Sequence, residues 1–505
     1  MAWARTAMLV LASLLLFGAA ESAPAPPAPL SNDIVIFGDI DRGDYQTYVE
    51  VPFEVPRGTT RITVRFDYDH ANNTVIDLGL LDQNGFRGWS GGNKMTFNLG
   101  LATATASYLP GPIKPGKWRL LLGVPNIREG VTAKFRAVIS FETGGSERAV
   151  RPAPYPTPVL NPAAGWYRGD LHMHTANSDG VCAGADGTRG PCPLVRTLSA
   201  AKAAGLDFIA ITDHNTTSQF AEMAALQGEW TSLLLIPGRE ITTFRGHANV
   251  LGPTAFIDFR RPIEEVIREI HRLGGLFVIN HPGLPSGESC MGCGWTWPMS
   301  GAPGLSADAV EVVNGGAWGM GGIPDGPFSG WDWWARNLGK GGGAVVVGGS
   351  DNHDASLPAS MAPAVGRPTT VVWAKNLSAK EILAGIRSGR VFIDMTLGAG
   401  HVLDLREART GAVMGGTVEI RRLGSQAPQF SATIAGVAKG RLEVITSAGP
   451  RRGQIAFEGD ASVPFEISAE EASALAWVRV QVRDEGGAIL MMSNPIFLTT
   501  RFGDR

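Results

Sequence analysis

Short apolar runs alternate with amphipathic segments from Trp166 to about Met395, and several of the runs end in histidine or an acidic residue. The last amphipathic segment opens with the capping-box sequence Ser378-Ala-Lys-Glu381, which satisfies two backbone N–H groups at a helix start. This alternation predicts an α/β domain of βα units around a mostly parallel sheet or barrel. The candidate strands are residues 169–172, 208–212, 233–237, 248–251, 276–280, 309–313, 344–348 and 370–373, and the candidate helices are residues 194–204, 262–273, 330–338 and 378–388.

Strand-rich patterns flank this region on both sides. Residues 31–150 contain short alternating runs broken by Gly, Pro and Asn, which predict an N-terminal β-sandwich. The Pro-rich segment 151–158 predicts an extended connector. We therefore place the α/β domain at residues 160–398 and a small C-terminal β domain at residues 399–505.

The first residues predict export. Arg5 precedes an apolar run over residues 7–20, which is too short for a comfortable membrane span and is followed by small residues and four prolines. This pattern is typical of a signal peptide, here residues 1–23. We expect a periplasmic or secreted protein that has no membrane span after cleavage.

The four cysteines bear on the same question. Export places them in an oxidising compartment, where pairing is expected, and four cysteines allow three pairings. We favour Cys182 with Cys192 and Cys290 with Cys293. A separate zinc site formed by the four is the alternative.

Composition excludes some partners. Apolar residues make up 44% of the chain and charged residues 18%, as in an ordinary globular protein. The net charge of −3 provides no broad positive field for nucleic acid or an anionic membrane surface. The expected partner is a small molecule.

Polar motifs stand at or just after the ends of the candidate strands, where barrels and open α/β sheets place their sites. Side chains alternate along an extended chain, so the two histidines of a His-x-His motif point the same way and can hold one cation. Because so many imidazoles and carboxylates at one edge are costly without cations, the series predicts a metal site. The candidate ligands are His172, His174, Asp179, His214, Glu240, His247, His281, Asp351 and His353.

From about Trp166 to Met395 these motifs resemble the polymerase and histidinol phosphatase (PHP) domain, a distorted seven-stranded βα barrel. Within that superfamily the chain is most similar to exported metallohydrolases that include carbaryl hydrolases, because Gly-His-Ala-Asn at Gly246–Asn249 follows the motif that ends in Glu240. The resemblance implies two or three divalent transition-metal ions. Zinc, manganese and iron all suit mixed imidazole and carboxylate ligands.

The resemblance also implies a ligand set for each ion. Asp179 stands where many family members have histidine. The implied sets are His172, His174 and Asp351 on the first ion, Glu240 bridging to a second ion completed by His247 and His281, and Asp179, His214 and His353 on a third.

The resemblance implies a metal-dependent hydrolase whose nucleophile is a metal-activated water. We expect a phosphoesterase, because most of the family are phosphoesterases and clustered cations suit an anionic ester. Asp213, His353 or a bound water would protonate the leaving group, and Asp170 and Asn249 would orient ligands. The alternatives are a carbamate or carboxylic ester hydrolase acting on an aromatic ester, and a cell-envelope binding protein whose metal site is structural.

Tryptophans cluster in the sequence after His281, where they suit either an aromatic pocket or helix packing. The sequence holds 13 tryptophans in all. Those in Gly- and Pro-rich sequence are the better pocket candidates, and the others are predicted to pack a helix on the domain. The pocket candidates are Trp295, Trp297 and Trp318, and the packing candidates are Trp331, Trp333 and Trp334.

Overall fold

The computed structural model describes residues 33–145, 148–149, 153–184, 186–298, 306–339, 343–398 and 400–500. The predicted signal peptide, residues 1–23, lies outside the described residues. None of the described helices is long and apolar enough to cross a lipid bilayer. The described residues form a mixed α/β structure that is rich in strands and contains few helices.

The N-terminal part consists of eight strands: β1 (Ile34–Asp41), β2 (Tyr48–Val55), β3 (Thr59–Tyr68), β4 (Val75–Asp82), β5 (Gly85–Gly91), β6 (Thr96–Gly100), β7 (Gly116–Asn126) and β8 (Thr132–Thr143). They form two antiparallel sheets in the orders β1-β8-β3-β6 and β2-β7-β4-β5, which share one core. Trp118, Leu120 and Leu122 of β7 are fully buried in that core. Leu121, on the opposite face of β7, is also buried and packs in a second core with residues of the central part, among them Phe259.

The central part contains the strands β9 (Gly165–Asp170), β10 (Val181–Ala183), β11 (Arg189–Pro191), β12 (Phe208–Ile211), β13 (Leu234–Thr243), β14 (Gly246–Leu251), β15 (Leu276–Ile279), β16 (Ala309–Asn314), β17 (Val345–Gly349), β18 (Thr369–Ala374) and β19 (Val391–Asp394). Its helices are α1 (Leu194–Ala203), α2 (Gln219–Gln227), α3 (Ile263–Arg272), α4 (Gly315–Gly321), α5 (Trp331–Asn337) and α6 (Ala379–Ser388). Each candidate strand and helix of this region overlaps one of these elements. Helices α2 and α4 were not predicted.

The central strands form a mixed sheet in the order β17-β16-β15-β14-β13-β12-β9-β18-β19. Strands β9, β12 and β13 are parallel, as are β15, β16 and β17, whereas β14 is antiparallel to both of its neighbours and β18 is antiparallel to β9 and β19. The antiparallel pair β13–β14 follows from its two-residue connection, because parallel strands require a long crossover. The distorted seven-stranded βα barrel implied by the resemblance is not shown by the described residues, which form this strand-rich mixed sheet instead.

Side-chain hydrogen bonds join β17 and β18, which are far apart in the strand order of this sheet. Thr370 of β18 donates its hydroxyl hydrogen to the Gly348 carbonyl of β17 at 2.6 Å and accepts the Gly348 N–H at 2.9 Å. The Asn494 side chain accepts the N–H of Val346 at 2.8 Å and donates to its carbonyl at 2.7 Å. The sheet therefore curls until the ends of β9 and β17 are neighbours.

The C-terminal part contains α7 (Ala469–Ala474) and the strands β20 (Val402–Glu407), β21 (Thr417–Glu419), β22 (Gln429–Ala435), β23 (Lys439–Thr446), β24 (Gly449–Pro450), β25 (Ile455–Glu458), β26 (Ala461–Glu466), β27 (Trp477–Arg483), β28 (Ile489–Ser493) and β29 (Ile496–Thr499). Strand β28 pairs with β19, so these strands continue the central sheet. Strands β20, β22 and β26 form a separate antiparallel sheet. The two strand systems share a core with residues of β18 and β19, such as Val371 and Phe392.

Candidate metal centre

Five places in the central sheet gather the nine sequence-predicted ligands: the ends of β9, β12, β15 and β17, and the β13–β14 hairpin. Asp170, the last residue of β9, ties two of these ends together: its carboxylate accepts the N–H of His172 at 3.2 Å and that of Ser350 at 3.0 Å. The ligands are His172, His174 and Asp179 after β9, His214 after β12, Glu240 and His247 on the β13–β14 hairpin, His281 after β15, and Asp351 and His353 after β17.

These side chains fall into four overlapping groups, and within each group the ligand atoms all lie within 4.8 Å of one another. Two groups match the implied first and third ion sites, with His174 added to the third. The implied second site is divided, because His247 and His281 share Glu240 but join different histidines. The groups are His172–His174–Asp351, His172–Glu240–His281, His214–Glu240–His247 and His174–Asp179–His214–His353.

Two carboxylates connect the groups. The Oδ1 atom of Asp351 lies 3.3 Å from His172 Nε2 and 3.2 Å from His174 Nε2. Glu240, only 1% exposed, places Oε1 3.3 Å from His247 Nδ1 and 3.5 Å from His281 Nε2. The other oxygen of Glu240 lies 3.5 Å from His174 Nε2. Glu240 thus has the position that a bridging ligand requires.

Several ligand atoms are buried without a hydrogen-bond partner among the described residues. They are the Nε2 atoms of His172, His174 and His247, the Oδ1 atom of Asp179 and the Oε2 atom of Glu240. A buried polar group left unpaired costs about 1–3 kcal/mol. Imidazole nitrogen and carboxylate oxygen are the donors that zinc, manganese and iron take in proteins. The residues present therefore fit divalent cations.

Mutual electrostatics shift the protonation of this cluster. Burial acts to lower the pKa of His353, but the Asp179 carboxylate outweighs it and raises the pKa to about 10. Burial likewise opposes charging of His214, whose pKa Glu240 and Asp179 nevertheless raise to about 9. The pKa of His174 falls to about 3, because burial and the neighbouring His353 and His214 both disfavour its charged form. In the absence of cations, His214 and His353 are therefore protonated at neutral pH beside the carboxylates of Glu240 and Asp179.

Glu311 on β16 orients two of the ligands, and sequence reasoning missed it. Its Oε1 atom lies 3.0 Å from His172 Nδ1, and its Oε2 atom accepts the N–H of His281 at 3.0 Å and the Asn314 side-chain amide at 2.9 Å. A Cβ at Gly349 would collide with this carboxylate and with His172, so the contact requires glycine there. The available signal was a single acid among the apolar residues of a fully buried strand that ends in Asn314.

Backbone and amide groups orient other ligands. The His281 Nδ1 atom lies 2.9 Å from the Cys293 carbonyl oxygen. Asn280 donates to Glu240 Oε1 at 2.7 Å and to the side-chain oxygen of Asn249 at 3.0 Å. Asn249 in turn donates to the Leu171 carbonyl at 3.1 Å. Asn249 therefore reaches Glu240 through Asn280, and its orienting role stays a prediction.

Three residues at the site have left-handed backbone conformations although none is glycine. Asn215, His281 and Asp351 have φ values of 49°, 28° and 55°. Such conformations cost on the order of 1–3 kcal/mol and persist where surrounding contacts enforce them, often at functional sites. Two of the three are candidate ligands.

The two proton-donor candidates have different surroundings. Asp213 is fully buried, and its carboxylate accepts the Thr175 N–H at 2.7 Å and the hydroxyls of Thr175 and Ser178 at 2.8 and 2.6 Å. The structure does not bring it into any of the four ligand groups. The side chain of His353 is 40% exposed, and its Nε2 atom lies 3.3 Å from Asp179 Oδ2.

The cysteines form the disulfides Cys182–Cys192 and Cys290–Cys293, which is the pairing we favoured. The first bridge connects β10 to the segment just after β11. The second lies in the segment whose Cys293 carbonyl contacts His281.

The tryptophans differ from their predicted roles in one case. Trp331 and Trp334 are buried in the central core, as expected of packing residues. The pocket candidate Trp295 is also buried, against Gly246. Trp297 is half-buried and donates its Nε1 hydrogen to Thr243 at 3.0 Å, and Trp318 is half-buried beneath the Arg367 guanidinium.

Comparison with known proteins gives one sequence relative. No protein-family model matches the chain. The uncharacterized protein MJ1587 of Methanocaldococcus jannaschii is 33% identical over 125 residues, which cover 23% of this chain and 69% of the relative.

Two solved structures are similar at low scores. One, from Bacteroides vulgatus, is a two-domain protein containing a predicted PHP-like metal-dependent phosphoesterase; it is 18% identical with a TM-score of 0.36, over 69% of this chain and 100% of that chain. The other, from Bifidobacterium adolescentis, is provisionally assigned as a metal-dependent phosphoesterase; it is 19% identical with a TM-score of 0.25, over 38% and 89% of the two chains. Scores of this size do not establish a common fold.

Proposed function

This chain belongs to the same protein family as uncharacterized protein MJ1587 of Methanocaldococcus jannaschii, and we propose that it is a PHP-type metal-dependent hydrolase. One observation carries the proposal: three buried ring nitrogens without hydrogen-bond partners converge with the carboxylates of Glu240 and Asp351. Bound divalent cations would supply an acidified water as nucleophile and neutralise the charge that develops on the ester.

The chain's own residues hold and orient the reacting groups. Glu240 and Asp351 would connect adjacent cations, because each lies near ligand atoms of more than one histidine. We assign proton transfer to the leaving group to His353, whose side chain is the most exposed of the cluster, and this role requires that its Nε2 atom is not held by a cation. Asp213 is assigned the orientation of the 175–180 loop, because its carboxylate is occupied by hydrogen bonds from that loop.

The substrate we propose is a phosphate ester, since clustered cations match an anionic ester better than a neutral one. Release of phosphate from phosphomonoesters, and of the alcohol from phosphodiesters, should cease on chelation and in His172→Ala, and should return in the wild-type protein when Zn²⁺ or Mn²⁺ is added. His70→Ala removes an exposed histidine of the N-terminal part and serves as the matched control. Full activity after chelation, or in His172→Ala, would exclude this mechanism.

Aromatic residues beside the β13–β14 turn favour a second candidate, hydrolysis of an aryl carbamate or carboxylic ester. Trp297 donates a hydrogen bond to Thr243, the last residue of β13, and the ring centroid of Tyr48 lies 4.8 Å from that of Phe244 in the turn. Both rings stand near the hairpin that carries Glu240 and His247. Cleavage of a naphthyl carbamate without cleavage of any phosphate ester would select this candidate. A chain that binds cations stoichiometrically but cleaves neither class would instead indicate a structural metal site.

We also propose a periplasmic or secreted location. The two disulfides support it, because such bonds persist in oxidising compartments. The N-terminal sequence of the exported protein tests it: cleavage near residue 23 is expected, and an intact N-terminus on protein recovered from the cytoplasm would contradict it. We expect a small-molecule substrate and no nucleic acid partner, given the net charge of −3.

A further inference from the structure

The loop that carries Asp179 is held from outside the central domain. Within residues 175–180, the N–H groups of Ser178 and Gly180 both donate to the Thr175 carbonyl, at 3.0 and 2.9 Å. The carbonyls of Asn177 and Ser178 form their hydrogen bonds outside the loop. Both accept hydrogen bonds from the N-terminal part of the chain.

Ser107, between β6 and β7, provides the first of these contacts. Its hydroxyl donates to the Asn177 carbonyl at 2.6 Å. Its backbone N–H donates to the Ser218 hydroxyl at 3.0 Å, and its carbonyl accepts from the Thr216 hydroxyl at 3.0 Å. Ser218 also donates to the Asn177 side chain at 2.7 Å. Ser107 thus joins the Asp179 loop to the segment just after His214.

Lys94, between β5 and β6, provides the second contact. Its ammonium group donates to the Ser178 carbonyl at 2.5 Å and to the Ser107 hydroxyl at 3.1 Å. Burial lowers the pKa of Lys94, while the carboxylates of Asp213 and Asp179 act in the opposite direction, which places the cation in the field of both acids. Lys94 therefore contacts the Asp179 loop directly from the connection between two strands of the N-terminal part.

The backbone conformation of Ser107 indicates that its surrounding contacts hold it in place. The residue is fully buried and has φ of 92°, a conformation that glycine adopts readily and serine does not. A strained residue persists when surrounding contacts over-determine it. Serine at this position forms a hydroxyl bond to the Asp179 loop that glycine would lack.

We propose that the N-terminal sheets complete the metal centre: Ser107 and Lys94 position the Asp179 loop against His214, so that cation binding at the Asp179–His214–His353 group depends on them. The proposal rests on the proposed function in one respect, namely that the cluster binds cations. Both residues are positioning residues, because they reach the ligands only through the loop. The N-terminal part would then be required for the complete site rather than being an appended binding module.

Ser107→Gly and Lys94→Met in the full chain test this. Glycine suits the positive φ, so Ser107→Gly removes the hydroxyl without adding backbone strain. Calorimetric titration of the metal-free protein with Mn²⁺ should show that the affinity of one cation site is about 10–100-fold lower in both variants than in the wild type. This is the loss that removal of other ligand-orienting groups causes. The remaining cations should bind as in the wild type. Ser140→Ala and Lys117→Met, on β8 and β7, are the matched controls.

Hydrogen exchange gives a readout that does not depend on metal. Amides of residues 175–180 should exchange faster in Ser107→Gly and Lys94→Met than in the wild type or the controls. Variants that bind every cation with wild-type affinity, or that leave this segment's exchange unchanged, would overturn the proposal while leaving the proposed function intact. A wild-type chain that binds no Mn²⁺ or Zn²⁺ would instead overturn the proposed function.

Discussion

Replacing Glu311 by glutamine should weaken cation binding without unfolding the protein. The carboxylate is 2% exposed and serves donors on two sides: the His172 ring on one, and the His281 N–H together with the Asn314 amide on the other. Glutamine has nearly the same shape but only one acceptor oxygen. It can therefore satisfy only one of the two sides.

Both orientations of the glutamine damage the site. If its oxygen faces His172, its NH₂ group opposes the His281 N–H and the Asn314 amide. If its NH₂ faces His172, the ring must accept at Nδ1 and carry its proton on Nε2, the atom that lies 3.3 Å from Asp351 Oδ1. A protonated Nε2 cannot bind a cation.

Loss of such an orienting group typically lowers metal affinity about 10–100-fold, which corresponds to about 1.4–2.7 kcal/mol. The assay is competition for Zn²⁺ between the protein and a chromophoric chelator, with circular dichroism to verify the fold. Glu54→Gln removes one negative charge from an exposed position on β2 and serves as the control. Affinity within about twofold of wild type in Glu311→Gln, or an equal loss in the control, would refute the orienting role.

Three further outcomes follow from the same geometry. Cation binding should release protons and become tighter as the pH rises from 6 to 8, because the pKa values of His214 and His353 are about 9 and about 10 in the metal-free protein. Calorimetry in buffers of different ionisation enthalpy measures the number of protons released. Binding that does not depend on pH would contradict this prediction. Asp213→Ala should lower the free energy of unfolding by about 1–3 kcal/mol by leaving buried donors unpaired, whereas a direct proton donor would lose activity at unchanged stability. Replacing Cys290 and Cys293 by serine should weaken cation binding less than Glu311→Gln, because the carbonyl that contacts His281 remains but is less constrained; equal or greater loss would contradict this.

The residues of the cluster were predictable because their signal is local. A histidine or acid directly after a short apolar run is visible in the printed sequence, and each candidate strand overlaps an observed one. The start of α6 is a similar case, confirmed in part: the Ser378 hydroxyl accepts the Glu381 N–H at 3.3 Å, but the Ser378 N–H donates to the Asn376 carbonyl rather than to the Glu381 side chain. Both depend on neighbours only a few residues apart.

Glu311 and Ser107 were not found, because nothing near either residue in the chain indicates its partner. Glu311 lies between apolar residues of a buried strand, and its contact with His172 spans 139 residues. Ser107 is an ordinary serine until its hydroxyl meets Asn177, 70 residues away.

Local pattern therefore identified which side chains the fold gathers into one cluster, since strand periodicity and the residue that ends a strand are properties of a few consecutive positions. The three-dimensional packing set which ligands share a carboxylate, the antiparallel placement of β14 and β18, and the contact of the N-terminal sheets with the Asp179 loop. These features arise from contacts between residues far apart in the chain, and pairing direction and side-chain convergence exist only once those segments have folded together.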